Sequence, residues 1–273
     1  MSIAALFDAN RCIACRGCQV ACKQWNENDE YIPTVENGVL STNLGSNENP
    51  PQLSASTFTR IHFSELEYGG KFHWVFTKLQ CMHCEHPACA AACPVAALQK
   101  TPEGPVVYDE GKCIGCRYCM VACPFGIPSF EWDSPVPWIR KCTFCFDRLG
   151  AGMEPACVKT CPTNALVLGE RDTLLTEARR RINLRPDKYI NHIYGENEVG
   201  GTSWLYISPV PFEQLGLPLL GNDPVTLDAE RAMGAVPSVL LGVAAAMTGV
   251  YWIIKRRDKL NREKAAEKKE VGK

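Results

Sequence analysis

Residues 7–22 read FDANRCIACRGCQVAC, and residues 108–123 read YDEGKCIGCRYCMVAC. The two stretches align without a gap, and each carries the run C-x2-C-x2-C-x3-C. Two further stretches share an ending: PACAAACPVAAL from Pro87 aligns with PACVKTCPTNAL from Pro155. Self-similarity of this kind marks a duplicated unit. The chain has 273 residues and 16 cysteines, and every cysteine falls into one of four groups. Group one is Cys12, Cys15, Cys18 and Cys22. Group two is Cys81, Cys84, Cys89 and Cys93, followed by Pro94. Group three is Cys113, Cys116, Cys119 and Cys123, followed by Pro124. Group four is Cys142, Cys145, Cys157 and Cys161, followed by Pro162.

Three cysteines at C-x2-C-x2-C curl around one face of an iron–sulfur cube, with backbone N–H groups turned toward its sulfides. The fourth cysteine, expected at the start of a short helix, reaches the other cluster of a pair, as in two-cluster bacterial ferredoxins. The spacing therefore predicts an α+β fold of ferredoxin-like modules and four [4Fe-4S] clusters. Structural zinc uses thiolates too, but typically from separated C-x2-C pairs that close one tetrahedron. Three cysteines within seven residues, twice over, do not match that pattern. Groups two and four are less regular, with C-x4-C and C-x11-C gaps. Their C-x3-C-P endings and the total of sixteen bring them in. A disulfide framework belongs to short secreted chains. No basic start, apolar run and cleavage site precede Cys12, so no signal peptide is expected.

The formal net charge of -1 gives no reason to expect nucleic acid, and 46% hydrophobic residues suit an ordinary core. Residues 25–60, rich in Asn, Ser, Pro and Glu, read as a long structureless surface insertion. Residues 60–79 read as two strands around Gly69-Gly70. Residues 171–185 read as a helix, and TSWLYIS from Thr202 as a strand. Between Arg231 and Lys255 lie 23 uncharged residues, AMGAVPSVLLGVAAAMTGVYWII. That length predicts a transmembrane helix over 231–255, with Tyr251 and Trp252 in an interfacial belt. Lys255, Arg256, Arg257, Lys259, Arg262 and Lys264 follow it. By the positive-inside rule the 256–273 tail is cytoplasmic and the domain over 1–230 lies on the other side, in a bacterium the periplasm.

CRGCQVACKQWN from Cys15, CPFGIP from Cys123 and CTFCFDRLGAGMEPACVKTCP from Cys142 together resemble one family: the iron–sulfur (beta) subunit of membrane-bound formate dehydrogenase. The cysteine pattern alone also recurs in electron-transfer subunits of other molybdopterin oxidoreductases and of periplasmic nickel–iron hydrogenases. EVGGTSWLYISPVPFEQLGLP resembles the hydrogenase partner in particular. Spacing leaves the pairing of the groups open, since groups three and four are close enough to pair. The resemblance implies a nested pairing, with groups one and four forming one module and groups two and three, at about 78–128, the other. It then implies four sites. Cys12, Cys15, Cys18 and Cys161 hold one cluster, and Cys142, Cys145, Cys157 and Cys22 its partner. Cys81, Cys84, Cys89 and Cys123 hold a third, and Cys113, Cys116, Cys119 and Cys93 the fourth.

The implied role is an electron relay to a membrane cytochrome b (gamma) subunit and quinone. Its source is a molybdenum or tungsten pterin catalytic (alpha) subunit. The protein would then be a single-pass bacterial inner-membrane protein exported with that catalytic subunit. Group one departs from the motif in having Lys23, not proline, after Cys22. His83 and His86 lie inside group two, where four cysteines already suffice, and read as outer residues or surface. His62, His73 and His192 are scattered. Arg16, Arg117, Lys141 and Lys23 adjoin ligands; positive charge there would raise a cluster's potential, but plain solvation is the reading for each. No phosphate loop, nucleophile motif or site for metal-bound water is present, so no catalytic residue is expected.

Overall fold

IAALFD at residues 3–8 contains no charge before Asp8, and a strand sends alternate side chains to opposite faces. Both faces of this strand are covered. Ala5 and Phe7 join a core containing Cys18, Cys157, Trp204 and Tyr206. Ala4 and Leu6 join a second core with Leu174, Leu175, Ala178 and Ile182. The computed structural model describes residues 2–28, 34–36, 39–41, 47–132 and 134–271. They fall into two compact units, Met1–Thr226 and Leu227–Lys273.

In chain order the first unit contains β1 (Ile3–Asp8), α1 (Gly17–Trp25), β2 (Thr34–Glu36), β3 (Val39–Ser41), β4 (Thr59–Tyr68) and β5 (Lys71–Gln80). Next come α2 (Ala88–Ala91), β6 (Leu98–Lys100), β7 (Val106–Tyr108), α3 (Tyr118–Ala122), β8 (Ser129–Phe130) and β9 (Ile139–Arg140). It ends with α4 (Phe146–Gly150), α5 (Ala156–Lys159), β10 (Leu166–Glu170), α6 (Arg171–Leu184) and β11 (Trp204–Ile207). The second unit is one helix, α7 (Leu227–Val271).

Strand pairing reveals the duplication. β1, which leads into group one, pairs antiparallel with β10, which follows group four, and Phe7 faces Leu166. β7, which leads into group three, pairs antiparallel with β6, which follows group two, and Tyr108 faces Leu98. Phe7 and Tyr108 are equivalent in the repeat, as are Leu166 and Leu98, so the same contact occurs twice. The first copy is enlarged. β11 adds to β1 in parallel, Ala5 opposite Trp204. α6 buries Leu174, Leu175, Ala178 and Ile182, spaced to share one helical stripe, against this sheet.

The hairpin expected over residues 60–79 is β4–β5, with Tyr68 opposite Lys71 across Gly69-Gly70. Both turn glycines have positive φ, which a tight two-residue turn requires. The 25–60 insertion is not structureless throughout. β2 and β3 pair antiparallel within it, Thr34 opposite Ser41, and Ser54 bridges Thr57. Thr, Val and Leu at those positions favour extended backbone, which the Asn and Pro content of the whole stretch obscures. The rest of that expectation, at 29–33, 37–38 and 42–46, lies outside the described residues. α7 is longer than the 231–255 segment read from hydropathy. The basic tail is rich in Lys, Glu, Arg and Ala, all strong helix formers, so the backbone continues past the apolar run. Leu227–Arg262 is long and apolar enough to cross a membrane.

Candidate metal centres

Each cysteine group sits on a sharply turned loop that enters a short helix. In the first C-x2-C turn of each group the residue before the second cysteine is left-handed: Ala14, His83, Gly115 and Phe144 all have positive φ. Such turns point successive N–H groups into a concavity suited to anions. N–H groups reach cysteine sulfurs, from Gly115 to Cys113 Sγ at 3.4 Å, Phe144 to Cys142 Sγ at 3.4 Å and Ala97 to Cys93 Sγ at 3.2 Å.

The third cysteine of each group is the second residue of its helix: Cys18 in α1, Cys89 in α2, Cys119 in α3 and Cys157 in α5. The fourth cysteine is therefore not at a helix start. Cys22 lies late in α1, and Cys93, Cys123 and Cys161 fall just past the ends of α2, α3 and α5. C-x3-C is one helical turn, so third and fourth cysteines lie near one face, displaced along the axis by about 6 Å. That displacement lets one short helix serve two neighbouring sites. Proline after the fourth cysteine stops three of these helices. Lys23 lets α1 run on to Trp25, whose indole N–H donates to Asp147 Oδ2 at 2.7 Å.

Three chambers are rimmed by cysteine quartets. Cys12, Cys15, Cys18 and Cys161 line one, Cys22, Cys142, Cys145 and Cys157 a second, and Cys93, Cys113, Cys116 and Cys119 a third. The remaining four are also neighbours: burial, then the charges of Cys81, Cys123 and Cys89, push the Cys84 thiol up. The grouping is the crossed, nested one, three cysteines from one group and the fourth from its counterpart. Among the described residues no three His, Cys, Asp or Glu side chains close far enough to share a single metal ion. A zinc site would draw its sulfurs to about 2.3 Å from one centre. A quartet rimming a chamber fits a cubane instead.

The chamber walls are largely apolar. Ile61, Leu166, Leu98 and Ile139 contribute to their walls. Burial pushes Cys12 and Cys145 up to about 11, and Cys18, Cys22 and Cys89 to about 12. Burial thus opposes the thiolate form, and a metal group bound at these cysteines would have to offset that cost. Cys93 goes the other way: burial opposes its thiolate, but backbone N–H groups of Leu98, Ala97, Val95 and Ala96 outweigh that and hold it low.

Several charged and polar groups differ from their sequence reading. Lys141 is not solvated; it is buried, its ammonium donating to Cys142 O at 3.1 Å and to Val106 O. His86 is exposed, but His83 is fully buried and accepts from Val106 N–H through Nδ1 at 2.9 Å. Burial first, then Lys141, Lys100 and Lys78, holds its imidazole well below the usual range. Arg117 lies over Trp132 and Phe130, and Arg16 over Phe63. Sequence reasoning missed Lys78 and Trp204, which line the Cys22 chamber from β5 and β11. Burial opposes the Lys78 ammonium, yet Cys157, Cys18, Cys142 and Cys22 overcome it and raise its pKa. A charged residue three before Cys81, close to a cysteine group, was the available signal.

Two families described as 4Fe-4S dicluster domains match the chain, one over residues 72–171 and one over residues 11–97. The nitrate-inducible formate dehydrogenase iron-sulfur subunit of Escherichia coli K12 is 40% identical over 208 residues, 75% of this chain and 67% of that protein. The hydrogenase-2 operon protein HybA of Escherichia coli O157:H7 is 31% identical over 297 aligned positions, 94% of this chain and 85% of that protein. A protein of Nitratidesulfovibrio vulgaris, whose name states no function, is 42% identical over 268 residues, 97% of this chain and 70% of its own length.

Proposed function

Since the chain belongs to the family of formate dehydrogenase iron–sulfur subunits, binding [4Fe-4S] clusters and transferring electrons, we propose that it joins formate oxidation in a partner subunit to quinone reduction at the membrane. The partners are a molybdenum or tungsten pterin catalytic subunit and a membrane cytochrome b. Bound at four cysteine quartets, [4Fe-4S] groups would supply one-electron acceptance and donation. The sixteen cysteines hold them in the crossed sets described above, and α7 anchors the protein in the bilayer.

One observation carries this reading: neighbouring quartets share apolar clusters. Cys18 and Cys157, from the first two quartets, belong to one core. Cys22 and Cys142 of the second quartet share an apolar cluster with Cys81 of the third. Cys89 of the third and Cys119 of the fourth share another. One site would suffice to store an electron; four joined through shared apolar clusters make a path. The short helices fix each cysteine by backbone geometry.

HybA supports a second reading, in which the donor is a hydrogenase, since that likeness covers 94% of the chain. The purified complex distinguishes them by whether formate or hydrogen reduces its clusters. The anchoring role is tested by ending the chain before Met233. Formate oxidation with a soluble dye should persist while quinone reduction falls sharply. Normal quinone reduction by the truncated complex would remove the membrane helix from the function.

A further inference from the structure

Lys78 is buried to 1% exposure, yet among the described residues no carboxylate forms an ion pair with it. A desolvated charge without a counter-ion is strongly unfavourable. Its ammonium donates to Gln80 Oε1 at 2.9 Å and lies 4.4 Å from the centre of the Trp204 ring. Gln80 is fixed in that orientation, because its amide N–H donates to the Tyr206 hydroxyl, which donates to Lys78 O at 2.9 Å. One ammonium donor is thereby used and two remain. Trp204 is fully buried, and its indole N–H finds no acceptor. Both residues line the chamber rimmed by Cys22, Cys142, Cys145 and Cys157. Unspent donors, one of them cationic, thus border a site whose occupant would be an anion.

We propose that Lys78 and Trp204 set the potential of the cluster held by Cys22, Cys142, Cys145 and Cys157, Lys78 as its buried counter-cation and Trp204 as a neutral N–H donor. This rests on the four-cluster reading above. An added electron increases negative charge at the site, so a nearby cation favours the reduced state and raises the potential. The other two chambers have no such group; their basic lining residues are Arg16 and Arg117, half-buried and exposed respectively. Lys78 and Trp204 are positioning residues for electron transfer and touch no substrate.

The test is a potentiometric titration of the whole complex followed by electron paramagnetic resonance. The signal that Cys145→Ser alters identifies the site. Lys78→Met keeps the stem and removes the charge. It should lower the one-electron reduction constant of that signal at least tenfold, about 59 mV, and shift the signal of the cluster at Cys12, Cys15, Cys18 and Cys161 less, because Lys78 also acts on Cys18. Trp204→Phe should shift the same signal in the same direction by roughly threefold, neutral donors being about half as strong. With ¹⁵N-lysine labelling, a nitrogen coupling to that reduced cluster should be present and vanish in Lys78→Met. An unmoved signal in a Lys78→Met complex with full iron overturns the proposal. Should that variant fail to load, an unmoved signal in Trp204→Phe overturns it. Wild-type iron well below sixteen per chain would instead defeat the four-cluster reading itself.

Discussion

At the scale of single residues, the informative position is Cys22. It belongs to group one in sequence, yet its side chain faces Cys142, Cys145 and Cys157 in the second chamber, while Cys18, one turn earlier, faces the first. Asn26 donates to Cys22 O at 2.8 Å and to its sulfur at 3.5 Å, which holds the side chain toward that chamber. Cys22→Ser should therefore alter the spectrum of the cluster at Cys142, Cys145 and Cys157. The cluster at Cys12, Cys15 and Cys18 should keep its signal. Loss confined to the latter, followed by resonance spectra of the two variants Cys22→Ser and Cys161→Ser, would refute crossed ligation. The cysteines were legible because ligation needs fixed residue types at fixed spacing. Lys78 and Trp204 were not: a lysine in a strand ordinarily faces water, and only the packing of β5 against β11 decides otherwise.

Helix α1 is the element that departs from its three counterparts. Proline follows the fourth cysteine of α2, α3 and α5, and those helices stop within four or five residues. With Lys23 in that place, α1 reaches nine residues and ends on Trp25, over which Arg148 of α4 stacks at 4.2 Å. Lys23→Pro would remove a helical hydrogen bond and force Cys22 out of the helical region. The expected cost is about 3 kcal/mol, read as a lower urea midpoint for the full chain, with earlier bleaching of the cluster absorbance. An unchanged midpoint would mean that α1 draws no stability from its last turn. The hairpin β4–β5, α6 and β11 were readable from turn glycines and periodicity. The β2–β3 pair was not, because three-residue strands leave too little alternation to detect.

On the scale of the whole molecule, the chain is an apolar helix and a cluster-binding unit. α7 carries Asp228 and Glu230 at its start and a dense run of lysine and arginine after Ile254. Basic flanks remain in the cytoplasm during insertion. A reporter fused after Lys273 should be active only if it functions in the cytoplasm, and cysteine-labelling reagents confined to the periplasm should reach the cluster unit in the unloaded protein. Activity of a periplasm-dependent reporter at that position would reverse the orientation. The sequence by itself determined the cofactor class, the duplication and the apolar helix. Each of those depends on residue identity at short range: thiolate spacing, repeated motifs, hydropathy over one span. Spacing left open which groups pair; the resemblance implied the nested pairing, and the tertiary structure supplies its physical cause. Groups three and four are close enough in the chain to combine, but β1 pairs with β10 and β6 with β7, and these ladders bring group one to group four and group two to group three. It also decided which charges are desolvated. Solvent exclusion is a property of what several distant elements cover together, and no local stretch of sequence contains it.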